Sequence, residues 1–332
     1  MRSVPLRIGV IGTGFAGSTH ARACIGLPGA RLTAIAAETV AEAEPLATEL
    51  GARVAPDAMA LCASEDVDLV VVASPTYLHA EHVMAAARAG KHVLCEKPIA
   101  RRLEDARAMV QACDDAAVRL ATGHVVRFFP EYLRAKELLD AGTLGRVAVA
   151  TLTRGTLSVG AARAWYLDPV KSGGVVLDLM LHDLDVLRWW FGEPTRIYGK
   201  RLTGGGALDY ALATVRYEDR PIVQLEASWA EHGGFRTSFE VRGDRGMLVH
   251  DSRAAAPFVA QSSAGDAGAG VIPTPTLGET PYRRQLRDLT ERLARNEPPL
   301  VDGREGLRSL GLGLAVLESA DRGEVVPWTV PA

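Results

Sequence analysis

Several signals that mark other classes of protein are scarce in this sequence. Its four cysteines form no CxxC pair, which argues against a zinc site or a disulfide framework and predicts free thiols in a reducing cytoplasm. The formal net charge is -3, so no basic excess favours nucleic acid or anionic lipid. No apolar stretch near the N-terminus is long enough for a signal peptide or a membrane span. We therefore expect a soluble cytoplasmic protein with no metal and no nucleic-acid or membrane partner.

What is present is the composition of a two-domain globular protein. A chain of 332 residues, 48% hydrophobic and 23% charged, is too long for one ordinary core. Up to residue 123, short apolar strands alternate with helical segments, which predicts a parallel sheet covered by helices on both faces. The predicted strands are 7–11, 31–36, 68–73, 92–95 and 118–122, and the predicted helices are 18–25, 40–50, 78–89 and 103–116.

The pattern changes after residue 123, where we place the domain boundary. A long, nearly apolar helix is predicted over 174–191, ending at Gly192. Strands with period-two alternation follow, which predicts an antiparallel or mixed sheet in an α+β domain over 124–332. These strands are 196–202, 210–217, 222–229 and 236–242, and further helices are predicted from about residue 282 and over 306–320.

A glycine-rich turn connects the first predicted strand to the first helix. Chemistry requires glycine there because the backbone must turn tightly and approach a pyrophosphate, which the N–H groups at the helix N-terminus then bind. A turn that binds nothing is the alternative, but the position at the start of an alternating βαβ region favours a dinucleotide site. The GxGxxG fingerprint consists of Gly12, Thr13, Gly14, Phe15, Ala16 and Gly17.

An acidic residue near the end of the second strand would select the cofactor. In dinucleotide-binding domains an acid about 20 residues beyond the glycines binds the ribose hydroxyls. Glu38 is a plausible, slightly displaced candidate, and no arginine follows it to hold a 2′-phosphate. NAD is therefore favoured over NADP, although NADP stays possible.

A lysine follows the fourth predicted strand, within the sequence Glu96-Lys97-Pro98. Ligands of open parallel sheets bind outside the carboxyl ends of the strands, so Lys97 is placed to donate to a substrate oxygen. Proline would fix the turn that orients the lysine. The alternative is a solvated loop, which is the usual role of a lysine–proline turn.

Two polar residues interrupt the apolar helix predicted over 174–191. Asp178 and His182 are four residues apart and so share one face, which Asp185 continues at the next turn. Such groups are costly among leucines and valines unless they are paired or face a wet cavity. They are either catalytic or a satisfied buried pair that orients two helices, and the presence of Lys97 favours catalysis.

These segments together resemble the glucose–fructose oxidoreductase/inositol dehydrogenase (Gfo/Idh/MocA) family over nearly the whole chain. The joint occurrence of GxGxxG, Glu-Lys-Pro and a helix with Gly-Gly-x3-Asp-x3-His, in this order, is specific. The likeness is carried by residues 8–17, Ser74-Pro75-Thr76 with His79, residues 89–98, Arg127-Phe128 before Pro130, and residues 173–185.

The resemblance implies an N-terminal NAD(P)-binding Rossmann domain over 1–123. It implies a substrate-binding and oligomerisation domain over 124–332, whose open, mostly antiparallel sheet forms homodimers or homotetramers. It also implies an NAD(P)-dependent dehydrogenase that oxidises a secondary hydroxyl of a sugar, cyclitol or related polyol, or reduces the ketone. Lys97, Asp178 and His182 would meet substrate beside the nicotinamide, and a cis Lys97–Pro98 peptide is consistent with the family.

Two positions depart from the family pattern. Ala37 stands where an acid is common, with Glu38 one step later, which blurs cofactor choice. Thr76 stands where asparagine is common, so its contact near the nicotinamide ribose is in doubt. The other expected cofactor contacts are Ser74, Pro75, His79, Glu96 and Lys97, and the expected substrate contacts are Lys97, Arg127, Trp165, Tyr166, Asp178 and His182, with Arg163 and Lys171 nearby.

The residues together suggest a reaction in which the protein orients the reactants and moves a proton. We expect His182 to act as general base for the hydroxyl, Asp178 to orient its ring, and Lys97 to favour the developing alkoxide. The adjacent Trp165 and Tyr166 could stack on a sugar ring or fill a core. Two alternatives stay open, a reductase of a non-sugar ketone or imine and a non-catalytic cofactor-sensing regulator on the same fold.

Overall fold

The computed structural model describes residues 5–157, 164–204, 208–219, 221–254, 258–262 and 279–331. Arg163 lies outside these ranges. The chain packs as two compact units, Met1–Phe128 with Glu279–Leu310 and Phe129–Gly278 with Gly311–Ala332. The division at residue 123 stays a prediction. The sequence analysis did not predict that residues 279–310 return to the first unit. No helix in the described ranges combines the length and apolar character needed to cross a membrane.

The first unit is built on a parallel sheet of six strands in the order β3-β2-β1-β4-β5-β6, which confirms the predicted fold. The central strand β4 is buried along its whole length, as expected for a sheet covered on both faces. The strands are β1 (Leu6–Ile11), β2 (Ala30–Ala36), β3 (Arg53–Val54), β4 (Leu69–Val72), β5 (His92–Cys95) and β6 (Leu120–Thr122). The helices are α1 (Phe15–Ala23), α2 (Val40–Leu50), α3 (Ala58–Ala63), α4 (His79–Arg88) and α5 (Leu103–Asp115); β3 and α3 were not predicted.

A helix from far along the chain, α9 (Pro281–Ala294), packs against α1. The guanidinium of Arg283 donates to the carbonyl oxygens of Ile25 and Gly26, just beyond the last turn of α1, at 2.5 and 2.6 Å. A cation at this end of a helix is favourable because the carbonyl groups there carry partial negative charge. The return segment therefore holds α1 at its carboxyl end, opposite the glycine-rich turn.

The second unit is built on a sheet of eight strands in the order β13-β12-β11-β7-β10-β9-β8-β14. Among the described strands of this second sheet only β7 and β10 pair in parallel, so the mostly antiparallel sheet is confirmed. The strands are β7 (Val147–Gly155), β8 (Arg196–Thr203), β9 (Asp209–Arg216), β10 (Ile222–Ser228), β11 (Arg236–Gly243), β12 (Gly246–Asp251), β13 (Phe258–Ser262) and β14 (Val326–Pro327). The helices of this unit are α6 (Pro130–Asp140), α7 (Pro169–Ser172) and α8 (Leu181–Phe191). The last helix, α10 (Gly303–Arg322), belongs to the first unit up to Leu310 and to the second from Gly311.

The apolar segment predicted as one helix over 174–191 is helical throughout but not uniform. A π-helical turn at Val176–Met180 precedes α8, which ends at Gly192 as predicted. A π turn is wider than an α turn because its hydrogen bonds span five residues, and such turns are frequent at functional sites. Asp178 lies inside this turn and His182 in the first turn of α8, so uniform α-helical spacing does not describe their relation.

Candidate active site

The glycine-rich turn leaves no room for side chains. Gly12 has a φ of +104°, and a Cβ there would lie 2.4 Å from the carbonyl oxygen of Ala73. A Cβ on Gly17 would lie 1.9 Å from the carbonyl oxygen of Gly12, because α1 leaves the turn so closely. Gly14 precedes α1 and has no side chain to cap it, and the first turn contains no acidic residue. The backbone N–H groups at this end of α1 suit an anionic pyrophosphate, so the turn fits a dinucleotide.

The other residues predicted around the turn are at least partly exposed. Thr13 and Ala16 are half-buried, whereas Phe15 is 78% exposed and meets the ring of Tyr282 edge-on at 6.5 Å. Glu38 is exposed just beyond the end of β2. An exposed carboxylate at this strand end is what ribose recognition requires.

A buried histidine ties together the loops that follow β4 and β5. Nε2 of His79 lies 2.9 Å from the carbonyl oxygen of Ser74, and Nδ1 lies 3.0 Å from that of Pro98. Burial lowers the pKa of His79, although the two carbonyl groups favour the protonated ring. The Lys97–Pro98 peptide is cis, in agreement with the family pattern. His79 therefore supports the turn that carries Lys97.

Two predicted residues of the first of these loops, Pro75 and Thr76, sit at the start of a 3₁₀ turn over Thr76–Leu78. Thr76 is buried at 6% exposure. The Ser74 hydroxyl lies 2.9 Å from Nδ1 of His82. The contacts of Ser74, Pro75 and Thr76 with a cofactor stay predictions.

The carboxylate of Glu96 lies directly behind Lys97. Its Oε1 is 2.7 Å from Nε2 of the fully buried His20, and its Oε2 accepts the backbone N–H of Lys97 at 3.1 Å. Burial raises the pKa of Glu96, but the hydrogen bond to His20 and the neighbouring Lys97 outweigh it, so the pKa lies below its usual range. Glu96 is therefore ionised and joins α1 to the lysine turn. The sequence analysis missed His20, whose signal was a lone histidine among alanines on the buried face of α1.

Arg127, a predicted substrate contact, is only 4% exposed. It lies in the 3₁₀ turn Val125–Phe128, and its Nη2 donates to Oε2 of Glu305 at 2.7 Å. A buried arginine with an acidic partner can serve structure alone or can present its remaining N–H donors. Its role in substrate binding stays a prediction.

In the second unit, Asp178 and His182 are set apart by exposure. Both are partly exposed, whereas the other residues of 172–188 are buried. Oδ2 of Asp178 accepts the indole N–H of Trp229 at 2.9 Å. The buried Asp185 does not share the exposure of the other two. A carboxylate and an imidazole that alone break the burial of an apolar helix are suited to contact a ligand.

The packing at the start of this helix requires a glycine. Gly174 has a φ of +66°, and a Cβ there would lie 2.4 Å from Oδ2 of Asp209. That oxygen accepts the backbone N–H of Val175 at 2.9 Å and pairs with Arg201 at 2.8 Å. Asp209 thus caps the helix at its N-terminus.

The predicted aromatic pair, Trp165 and Tyr166, lies beside Trp229, whose indole N–H binds Asp178. The rings of Trp165 and Tyr166 are 4.1 Å apart, and Tyr166 meets Trp229 edge-on at 6.4 Å. Both members of the pair are half-buried, and Lys171 on α7 is exposed. The aromatic pair and Asp178 are therefore connected through one tryptophan that the sequence analysis did not single out.

Asp183, the residue after His182, forms a buried ion pair. The guanidinium of Arg154 on β7 donates to both carboxylate oxygens of Asp183, at 3.0 and 2.7 Å, and to the hydroxyl of Tyr132 at 3.1 Å. Arg154 and Asp183 are 2% and 1% exposed. Burial raises the pKa of Tyr132, so its hydroxyl stays neutral. This bidentate pair anchors the first turn of α8 to the sheet.

Comparison with known proteins gives matches along most of the chain. Residues 6–124 match the model of an oxidoreductase family with an NAD-binding Rossmann fold, and residues 132–249 match the GFO/IDH/MocA C-terminal domain. Myo-inositol 2-dehydrogenase of Thermotoga maritima is 29% identical over 95% of this chain and 96% of its own. The 1,5-anhydro-D-fructose reductase of Ensifer adhaerens is 32% identical over 80% of each chain. The structure of levoglucosan dehydrogenase with NADH and levoglucosan shares the fold, with a TM-score of 0.89, 24% identity and coverage of 98% and 99%.

Proposed function

The chain belongs to the GFO/IDH/MocA oxidoreductase family and binds NAD through its Rossmann fold, and we propose that it oxidises a secondary hydroxyl of a sugar or cyclitol, reversibly. The observation that carries this proposal is the exposure of Asp178 and His182 alone within an otherwise buried segment, 172–188. Polar side chains that reach the surface from a buried segment are accessible to a ligand, whereas the buried Asp183 and Asp185 of the same segment are not.

The first unit holds the cofactor. The N–H groups at the start of α1 bind the pyrophosphate, and the carboxylate of Glu38 accepts hydrogen bonds from the ribose hydroxyls. Phe15 and the Ser74–Thr76 loop extend this surface on either side of the glycines. NAD, when bound, accepts or returns the hydride at its nicotinamide ring.

The proton of the substrate hydroxyl is transferred to a side chain of the protein. In the oxidative direction the substrate O–H bond breaks and the imidazole of His182 takes its proton, while the carbinol C–H bond supplies the hydride. Asp178 orients the imidazole and stabilises its protonated form. Lys97 donates a hydrogen bond to the same oxygen and stabilises the alkoxide as it develops.

Substrate recognition is assigned to Arg127, Trp165 and Tyr166. An aromatic ring offers a flat apolar face to the C–H groups of a sugar or cyclitol ring, and a guanidinium donates to its hydroxyls. The half-buried state of the adjacent Trp165 and Tyr166 rings supports this role, because part of each ring is still accessible.

The assembly and location of the protein belong to the same proposal. Val149, Leu212 and Ile222 are 37%, 47% and 42% exposed on neighbouring strands of the second sheet. Apolar side chains exposed on one sheet face favour association. We expect a cytoplasmic homodimer or homotetramer formed through this sheet, which light scattering on the purified protein would measure.

The direction of the physiological reaction has a second candidate. One relative is named a 1,5-anhydro-D-fructose reductase, and the same three residues would serve ketone reduction with His182 as general acid. A reductase of a non-sugar ketone or imine would use the same groups. Rates in both directions with polyols and the matching ketones distinguish these candidates.

The test is the His182→Ala variant, assayed with a panel of polyols that includes myo-inositol. We expect kcat to fall by about 10²- to 10⁴-fold, the usual effect of losing a positioned general base. The affinity for NADH, followed by fluorescence, should stay near wild type, because the cofactor site is built from the first unit. The exposed His232→Ala in the same unit is the matched control and should keep full activity.

Two results would contradict the proposal. Full kcat of His182→Ala across the pH range would make this histidine structural and assign the proton to another group, with Lys97 the first candidate. NADH binding without turnover of any polyol or ketone would favour a cofactor-sensing regulator.

A further inference from the structure

Trp229, the residue that follows β10, contacts both parts of the proposed site in the second unit. We propose that Trp229 is a positioning residue, whose indole N–H fixes the carboxylate of Asp178 and whose ring supports Tyr166. This inference rests on the proposed function, in which Asp178 orients His182. It adds a group that touches neither substrate nor cofactor.

The contact with Asp178 is directional. The indole Nε1 lies 2.9 Å from Oδ2 of Asp178, and Trp229 is only 3% exposed. Indole N–H is a donor only, and its hydrogen bond to a carboxylate is charge-assisted and therefore strong. Because a carboxylate rotates easily about its terminal bond, this hydrogen bond selects one rotamer of Asp178 and defines where its other oxygen lies.

A second attachment holds the same segment. Oδ2 of Asp209 accepts the N–H of Val175, three residues before Asp178, and the backbone carbonyl of Asp209 accepts the N–H of Trp229 at 2.9 Å. The π turn Val176–Met180 thus begins next to one attachment and contains the other. Two fixed points over four residues keep this wide turn in one conformation, which Asp178 requires if it is to orient the imidazole of His182.

The ring of Trp229 has a separate contact with the aromatic pair. Tyr166 meets it edge-on at 6.4 Å with an interplanar angle of 66°, and the ring of Trp165 lies 4.1 Å from that of Tyr166. The surface proposed to bind the substrate ring and the carboxylate behind the base therefore share one support. Phenylalanine at 229 would keep an aromatic ring beside Tyr166 but would lose the N–H together with part of the indole's volume.

Trp190 in the same unit shows what a tryptophan with a packing role looks like. It is 5% exposed and contacts the rings of Tyr132 and Phe239 at 5.8 and 5.1 Å. Its indole N–H is buried with no hydrogen-bond partner among the described residues. Trp190→Phe thus removes the same atoms as Trp229→Phe without removing a hydrogen bond, and it is the matched control.

The first test needs no substrate. The protein has five tryptophans, so ¹⁵N-tryptophan labelling of the NADH-saturated protein gives a small set of indole N–H resonances, and Trp229→Phe identifies one by its loss. We expect Asp178→Ala to move the Trp229 resonance upfield, as a lost bond to a carboxylate does, and to leave that of Trp190 in place. A Trp229 resonance unmoved by Asp178→Ala would overturn the inference.

The second test measures positioning through kinetics. Trp229→Phe should lower kcat about ten-fold, the scale of one hydrogen bond to a charged group, with the polyol KM and the NADH Kd near wild type. The melting temperature should fall about as much as in Trp190→Phe, because both variants lose the same buried ring atoms. In an Asp178→Ala background the same substitution should cost nothing further, because its effect passes through Asp178. Trp190→Phe should leave kcat unchanged.

The outcomes separate this inference from the function on which it rests. Wild-type kcat in Trp229→Phe, or an equal loss in the presence and absence of Asp178, would overturn the positioning role while the proposed function stands. Full kcat in Asp178→Ala would overturn the proposed role of Asp178 and the inference with it.

Discussion

The two units support their proposed catalytic residues with buried pairs of different kinds. In the first unit Glu96, next to Lys97, pairs with His20 at 2.7 Å. In the second unit Asp183, next to His182, pairs with Arg154 at 2.7 Å. In both, the neighbour in sequence of a proposed catalytic residue is fixed inside the protein, so the catalytic side chain is presented from a rigid backbone.

The difference lies in the partner. Arginine is always charged, so removal of Asp183 would leave an uncompensated charge in the interior. Histidine can be neutral, so the pair with Glu96 can lose a partner at a smaller cost. The Arg154–Asp183 anchor therefore keeps its cation under all conditions, whereas the His20–Glu96 anchor depends on the ionisation of Glu96.

The composition of the units allows each anchor to be studied separately. All five tryptophans belong to the second unit and all four cysteines to the first. The cysteines are buried without disulfides, and burial raises the pKa of Cys24 to about 12, so they should react with thiol reagents only when the first unit opens. Tryptophan fluorescence therefore reports on one unit and thiol labelling on the other.

The largest effect is expected from Asp183→Ala. Breaking a buried pair by removing one partner typically costs about 3–5 kcal/mol, so urea unfolding followed by tryptophan fluorescence should shift to markedly lower denaturant. The double variant Arg154→Met/Asp183→Leu should recover much of the loss, because it leaves no buried charge. An unchanged fluorescence midpoint in Asp183→Ala would remove the contrast between the two anchors.

A smaller effect is expected from Glu96→Gln. The amide oxygen can still accept the N–H of Lys97, but the amide N–H₂ then faces His20 in place of a carboxylate oxygen, so the charge-assisted bond to His20 is lost. We expect a loss of about 1–3 kcal/mol, measured by thiol labelling in urea. The folded pKa of Glu96 is lowered, so its contribution is present above the unfolded pKa of about 4.3 and disappears as pH falls through the folded pKa.

The difference in unfolding free energy between wild type and Glu96→Gln should therefore be largest near neutral pH. It should shrink as the pH falls below about 4. The exposed Glu65→Gln is its matched control and should show no such difference. A difference that stays constant down to acidic pH would mean that the ionised form of Glu96 has no special role.

The smallest effect is expected at Glu38, an exposed side chain of the otherwise backbone-built cofactor site. Its charge should repel a 2′-phosphate, so kcat/KM should be higher with NAD than with NADP. Glu38→Ala should narrow that preference by about ten-fold or less, because an exposed charge is screened. The exposed Glu44→Ala on α2 should leave it unchanged. Preference of the wild type for NADP would contradict this, and would indicate that Ala37 admits the phosphate.

Much of the first unit could be predicted because its signals are local. Buried four-residue strands such as β4 and the steric demands of Gly12 and Gly17 are visible in the sequence as apolar runs and glycine spacing. The short β3 and α3 and the helix α6 were missed, since elements of a few turns or less carry too little periodicity. The π turn was missed because one extra residue per turn leaves no mark on an apolar pattern.

The two fold classes, the glycine-rich turn and the order of the candidate residues Lys97, Asp178 and His182 could be read from the amino-acid sequence. These features depend on backbone sterics and hydrophobic periodicity, which act over a few neighbouring residues. The groups that support the candidate residues became visible only in the folded protein. The partnerships of His20 with Glu96, Arg154 with Asp183 and Trp229 with Asp178 join residues that are 76, 29 and 51 positions apart. No local sequence pattern encodes such a pair, because its two residues become neighbours only when the chain has folded.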